Sequence, residues 1–357
     1  MNDGDPTNDL SPSAAQQVFL YQHRKDMDIT DPDYDLDFTF GGRVPMISGS
    51  FGGLRFSTSF RRTQDIYLVP LSEDRQIQTT LQAKVTSNIA SGMKLSIDGY
   101  YNRLTGTTES QTGNNDFFDS DRDITTDMER VSFIESRIYA SDYWAPSEQI
   151  NRRLGVEFSH QLTSKTFYEV QFYAANQENN TSPGDFRDTT NVYSIGGVGF
   201  DEGPFGFFDE TSSGLASGMR MGVGMRTARD TSRVGYMSVK CKMTSQLNRI
   251  NQLKTGFEVI RQNSQANYGS FDKVLPSGRT FSTWNTTPLR IGLFAENKLE
   301  FEGMIARAGL RLTYSDPNID WYEYDNFTDL FDSGNASALD TAKVTDVDPQ
   351  IVLQPRL

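Results

Sequence analysis

The sequence predicts an all-β fold: part of a transmembrane, antiparallel, up-and-down β-barrel of about ten strands, with short periplasmic turns and long extracellular loops. Three observations carry that prediction. Apolar residues recur with a period of two along most of the chain, the spacing of a strand with two unlike faces. The connections between these segments alternate between short and long. No stretch approaches the ~18 unbroken apolar residues that a spanning helix requires.

The strands are expected in the following order. An opening strand lies near residues 35–45. In "GGLRFSTSFRR", Leu54, Phe56, Thr58 and Phe60 share a face opposite Arg55, Ser57, Ser59 and Arg61. "QIQTTLQAKVT" sets Ile77, Leu81, Ala83 and Val85 against Gln76, Gln78, Gln82 and Lys84. "MKLSIDGYYNR" sets Met93, Leu95, Ile97 and Tyr101 against Lys94, Ser96, Asp98 and Asn102. "RLGVEFSHQL" does the same with Leu154, Val156, Phe158 and Leu162. Further segments run near 165–176, 232–244, 251–264 and 287–300. "MIARAGLRLTYS" follows, with Leu310 and Leu312 against Arg307 and Arg311. Such strands of roughly 10–14 residues suit a tilted crossing of a bilayer. "PQIVLQPRL" at the end reads as the beginning of an eleventh.

The connections decide what the apolar face meets. Those near 46–50, 88–92, 163–164, 245–250 and 301–303 are expected to be tight turns. Those near 63–75, 104–150, 177–231, 265–286 and 316–347 are longer, three of them much longer. An up-and-down meander places alternate connections at opposite ends, so short and long ones segregate as in an outer-membrane barrel. Compact domains rarely carry several structureless loops of such length. The apolar face is also thin, built of Ala, Thr, Met and single Leu residues, which suits lipid better than a close-packed core. Tyr100, Tyr101, Tyr314 and Phe60 fall near the long-loop end, where an aromatic girdle is expected.

Composition agrees. The chain is only 36% hydrophobic, with a mean hydropathy of -0.54. A barrel gives such values because a polar lumen and polar loops dilute the lipid-facing residues. The net charge of -13 argues against nucleic acid as a partner. Residues 104–150 hold ten acidic side chains against three Arg, and 316–347 hold eight against Lys343 alone. Each segment therefore carries -7, and the remainder of the chain is about neutral. The single cysteine, Cys241, excludes an internal disulfide, and its setting beside Met237, Val239 and Met243 makes it a small apolar filler.

The segment from "DYDLDFTFGGRVPMISGSFGGLRFSTSFRR" to "MKLSIDGYYNR" resembles the start of the barrel in TonB-dependent receptors of Bacteroidetes-type bacteria. Gly41, Gly42, Arg43, Val44 and Pro45 match the Gly-Gly-x-Val-Pro segment that ends the family's first strand. "LRIGLFAENKLEFEGMIARAGLRLTYSDPNIDWYEYD" is similar to a later hairpin of that family. The resemblance covers about residues 30–357. It implies a receptor of the cell outer membrane that captures a nutrient at its loops and transports it actively. Its partners would be the TonB complex, reached through an N-terminal region, outer-membrane lipid and lipopolysaccharide, and a surface lipoprotein. Plug, TonB box and second barrel half are not recognisable in the sequence. The chain is therefore expected to be an internal fragment. Residues 1–34 would be a linker or short helix, with Ser11 as N-cap and Pro12 following, and 35–357 the partial barrel. A self-contained passive pore or adhesin barrel is the alternative.

Candidate chemistry is sparse. HExxH, Gly-x-Ser-x-Gly and paired cysteines do not occur, and neither His23 nor His160 stands beside a nucleophile, so no enzyme and no cofactor are expected. Asp119, Asp121 and Asp123 have the one-three-five spacing of a calcium loop. Ile124 replaces the required glycine and Arg130 the closing glutamate, so a solvated charge run is the default and a loop-bound calcium the alternative. Phe205, Phe207 and Phe208, with Trp321, Tyr322 and Tyr324, are the candidates for a ligand-capture surface, against mutual loop packing. Arg55, Arg61, Arg307 and Arg311 are expected to line the lumen and pair with acidic groups.

Overall fold

The computed structural model describes residues 11–14, 16–17, 30–44, 49, 51–68, 71–110, 116–130, 144–182, 192–195, 198–201, 206–208, 218–220, 228–270, 280–323 and 342–356. Its main feature is one antiparallel sheet of thirteen strands. In chain order the strands begin with β1 (Tyr34–Arg43), β2 (Arg55–Ile66), β3 (Arg75–Ala90) and β4 (Met93–Thr107). A helix α1 (Asp121–Arg130) follows, then β5 (Pro146–Thr163) and β6 (Thr166–Thr181). Short strands β7 (Val192–Ile195), β8 (Val198–Asp201), β9 (Gly206–Phe208) and β10 (Gly218–Arg220) form a separate four-stranded sheet. The main sheet resumes with β11 (Ala228–Asp230), β12 (Arg233–Gln246), β13 (Asn251–Ser270), β14 (Thr280–Thr286), β15 (Leu289–Phe301) and β16 (Met304–Asp316). A hairpin of β17 (Asp320–Tyr322) and β18 (Val344–Asp346) precedes the last strand, β19 (Gln350–Arg356).

Each long strand pairs with its neighbour in sequence, from β1 to β6, through β12 and β13, to β15, β16 and β19. This is an up-and-down meander. The register turns the period-two pattern into continuous rows. One row runs Leu95, Phe158, Val170, Cys241, Phe257, Leu293, Leu312, Leu353 across eight strands. The next runs Ile97, Val156, Phe172, Val239, Val259, Ile291, Tyr314, Ile351. A slip of one residue at any strand would break both rows, so the apolar pattern fixes the register. Among these residues Leu293, Leu312 and Leu353 are 51%, 42% and 63% exposed.

The alternate rows are polar and hold the charges. Lys242 pairs with Glu169 at 2.5 Å, Lys240 with Glu258 at 3.6 Å, and Arg311 with the same Glu258 at 3.1 Å. Arg61 bonds Asp35 through two contacts, at 2.7 and 3.1 Å. Thus two of the four predicted lumen arginines have acidic partners on neighbouring strands. Solvent screens these surface pairs, so they organise the face more than they stabilise it. Arg307 instead lies opposite Lys298.

The turns at 91–92, 164–165, 247–250 and 302–303 are tight, as the sequence predicts. Gly92 and Gly303 take positive φ there, 73° and 80°, which only glycine adopts cheaply. The connection from Val44 to Leu54 is not the tight turn expected. Phe51 and Gly52 in it bond the end of β3, with Asn88 donating from its backbone N–H to the Gly52 carbonyl at 3.1 Å and Ser87 Oγ donating to the Phe51 carbonyl.

The strands are also longer than expected at the long-connection end. β5 starts at Pro146, β6 continues to Thr181 and β13 to Ser270. These extensions are mostly polar, with only Ile150, Ala266 and Tyr268 to mark a face, so their period-two hydrophobic signal is weak. Tyr100 lies opposite Arg153 on the polar face, with the guanidinium 4.9 Å from its ring centroid, and does not join the girdle. Tyr101, Phe38 and Phe60 do share the apolar face.

The compact core lies outside the sheet faces. Tyr67, Leu71, Phe118, Ile124 and Trp144 are buried together, joining the β2–β3 connection to the β4–β5 connection. Tyr67 donates its hydroxyl hydrogen to the Phe118 carbonyl at 2.8 Å, and Phe118 stands edge-on to Trp144 with centroids 5.4 Å apart. At the chain start, Ser11 Oγ accepts the Ala14 N–H at 3.2 Å, as the predicted N-cap of a helical turn.

Candidate functional site

The long-connection end gathers the candidate binding groups. Asp316 closes β16, and its carboxylate accepts the Asn318 N–H at 2.9 Å. Asn318 takes φ 46°, a left-handed conformation that Asn tolerates, and its side-chain amide donates to Thr287. This turn reverses the chain into β17, where Trp321 pairs with Thr345 and Tyr322 with Val344 of β18. Adjacent residues on a strand point to opposite faces, yet the Trp321 and Tyr322 rings still meet at 6.0 Å and 65°. Both stay accessible, at 53% and 37%.

The hairpin faces the neighbouring strand β14 across a cleft of about 500 Å3. Trp284, Asn285, Asn318, Trp321, Tyr322 and Asp346 are among the groups that line it. Trp284 is 42% exposed and stacks edge-on against Tyr268 at 5.9 Å. The cleft therefore offers aromatic faces, two amides and the carboxylates of Asp320 and Asp346, a set suited to a planar or sugar-like ligand with hydrogen-bonding groups. Trp284 and Asn318 were missed by sequence reasoning. The alternation in "TFSTWNT" was a legible signal for β14, hidden inside what reads as a loop.

Phe207 and Phe208 lie on β9, opposite Met219 and Gly218 of β10. They belong to a different sheet from Trp321 and Tyr322. Phe205 and Tyr324 lie outside the described residues.

Asp121 and Asp123 fall in the first turn of α1, where carboxylates favour the helix dipole. Ser120 caps this helix by accepting the Asp123 N–H at 3.3 Å, and Asp121 accepts the Leu68 N–H at 2.8 Å. The loop read as a charge run thus contains a capped helix tied to the β2–β3 connection. Among the described residues no three His, Cys, Asp or Glu side chains are grouped to hold a metal. His160 sits near the β5–β6 turn, 3.4 Å from the Tyr168 hydroxyl and edge-on to its ring.

No family model and no curated protein matches the chain. Solved structures do. The ferric yersiniabactin uptake receptor FyuA from Yersinia pestis is similar at 8% identity and a TM-score of 0.49, over 90% of this chain and 41% of that one. The FrpB iron transporter from Neisseria meningitidis is similar at 10% identity and 0.47, over 90% and 43%. The ferripyoverdine receptor of the outer membrane of Pseudomonas aeruginosa is similar at 10% and 0.47, over 91% and 38%. The chain spans about two fifths of the length of these structures. The fold assignment rests on the meander and its register.

Proposed function

We propose that the chain is part of the wall of an outer-membrane receptor barrel that captures a nutrient at its long-loop end and passes it inward by TonB-coupled transport. The observation that carries this reading is the pair of unbroken apolar rows across eight strands, every residue of which the chain's own packing leaves exposed or half-buried and none fully buried. The band from Met93 to Tyr101 extends about 26 Å along β4 at ~3.3 Å per residue. A tilt of ~40° reduces that to about 20 Å, close to the ~25 Å apolar band of such barrels. Water on such a face would be costly; lipid removes the cost. The Trp321–Tyr322 hairpin and the cleft beside it supply the capture surface, with Phe205, Phe207, Phe208 and Tyr324 as further contacts.

Surface labelling tests the orientation. In a Cys241→Ser background in a Gram-negative host, a membrane-impermeant maleimide should label Ala→Cys at 336 on intact cells and spare Glu302→Cys until the cells are lysed. Labelling of both positions on intact cells, or of neither, contradicts the reading. Ferric siderophore complexes, bound by the similar receptors, are the first ligands to offer. Active transport would be abolished by dissipating the proton-motive force, whereas a passive pore would be indifferent.

A further inference from the structure

A second surface lies on the apolar face, where its band ends below the long loops. The upper apolar row runs Leu154, Ala174, Met237 and then Arg261. The row above it runs Tyr101, Arg152, Asn176, Gly235, Asn263. Between Arg152 and Arg261 stand Ala174, Asn176, Met237 and Gly235, the last with no side chain at all. The result is a groove of about 560 Å3 with an apolar floor and a guanidinium at either side.

The two arginines are not equivalent. Arg152 is already paired with Glu178 at 3.1 Å. Arg261 is exposed and has no ion pair among the described residues; its immediate neighbours in the row, Met237 and Leu289, are apolar, and Asp316 follows one strand beyond Leu289. A guanidinium there is costly if its surroundings are hydrocarbon alone and cheap at the interface beside an anion. We propose that this groove is a binding site for one anionic membrane lipid. Its phosphate lies on Arg261, with Arg152 as the second donor, and its acyl chain runs down over Leu154, Ala174 and Met237. The proposal rests on the outer-membrane reading above. It adds to that reading a fixed lipid and the residues that select its charge. A lipid is favoured over a soluble anion because the cationic end and the apolar floor are continuous, as headgroup and chain are.

The native thiol provides the probe. Cys241 lies on the same face two rows below Met237. The chain, labelled at Cys241 with a fluorophore, is reconstituted in phosphatidylcholine vesicles containing a minor fraction of lipid with brominated acyl chains. Quenching by brominated phosphatidylcholine reports that the face meets lipid. Stronger quenching by the same fraction of brominated phosphatidylglycerol reports selection of the anion. We expect about a fivefold preference, the amount one unshared arginine supplies near a membrane surface. Arg152→Ala combined with Arg261→Ala should return it to unity. Gly235→Leu, whose Cβ would meet Asn263 only at 3.6 Å, should lower it by filling the groove without changing charge. Arg311→Ala, on the polar face, should leave it intact. Equal quenching by both lipids, or a preference that survives the double variant, overturns the site while leaving the membrane reading standing. No quenching by either lipid overturns both.

Discussion

Leu293→Arg is the most informative single perturbation. Leu293 lies mid-row on the apolar face, between Phe257 and Leu312, and is 51% exposed on the chain itself. If lipid covers that exposed half, a guanidinium there stands near the bilayer midplane and costs about 2–4 kcal/mol. If water covers it, the same change removes a half-exposed leucine and costs well under ~2 kcal/mol. Thr313→Arg is the matched control. Thr313 is on the alternate face of β16, in a polar row with Glu258 and Lys240, where a charge is solvated and the expected cost is under ~1 kcal/mol. The assay is equilibrium unfolding in lipid vesicles by urea or guanidinium, followed by tryptophan emission. The account expects a deficit of about 2–4 kcal/mol for Leu293→Arg and little for Thr313→Arg. Equal, small effects would refute the assignment of the apolar rows to lipid.

Three further outcomes follow from local geometry. Phe118 is fully buried in the loop cluster, so Phe118→Ala should cost about 3–5 kcal/mol locally; limited proteolysis should cut between residues 108 and 145 while the sheet survives. Burial, then the carboxylates of Asp119, Asp65 and Asp121, hold the Tyr67 hydroxyl well above its ordinary pKa. The folded cluster keeps that proton more tightly than the unfolded chain, so its stability is intact below pH ~10 and falls as pH rises beyond it. Trp144 emission in a Trp284→Phe, Trp321→Phe background should report that loss, and Tyr67→Phe should flatten it. Gly52 takes φ 60°, and a Cβ there would stand 1.5 Å from the Asn88 carbonyl oxygen. Gly52→Ala should therefore cost at least about 2 kcal/mol at this end, seen as faster amide exchange at Asn88, whose N–H bonds Gly52.

What the sequence could reveal was set by how far the apolar face extends along each strand. Where a strand crosses the apolar band, one face must be apolar, and Leu310, Leu312 and Val259 announce it. Beyond the band both faces meet water, and Pro146–Asn151 or Gln265–Ser270 pair as strands with only a weak periodic mark. The helix α1 was hidden for a related reason. Its acidic first turn reads as a charge run, and Ile124, which is fully buried, matters only through Phe118 and Trp144 far along the chain. Trp321 and Tyr322 stood out as exposed aromatics in an acidic segment, but their neighbour Trp284 is brought to them only by the pairing of β14 with β13. Tyr100 and Tyr101 are adjacent, so only one of them could reach the girdle, and the register shows which.

The central claim, that one face of this sheet meets lipid, is tested most directly by spin labels placed singly at residues 306 to 313 of β16 in a Cys241→Ser chain in vesicles. Accessibility should alternate with a period of two. Apolar oxygen should reach Ala306, Ala308, Leu310 and Leu312 best, and a polar nickel reagent should reach Arg307, Gly309, Arg311 and Thr313 best. If the polar reagent reaches all eight positions alike, the apolar rows do not face a bilayer and the account fails.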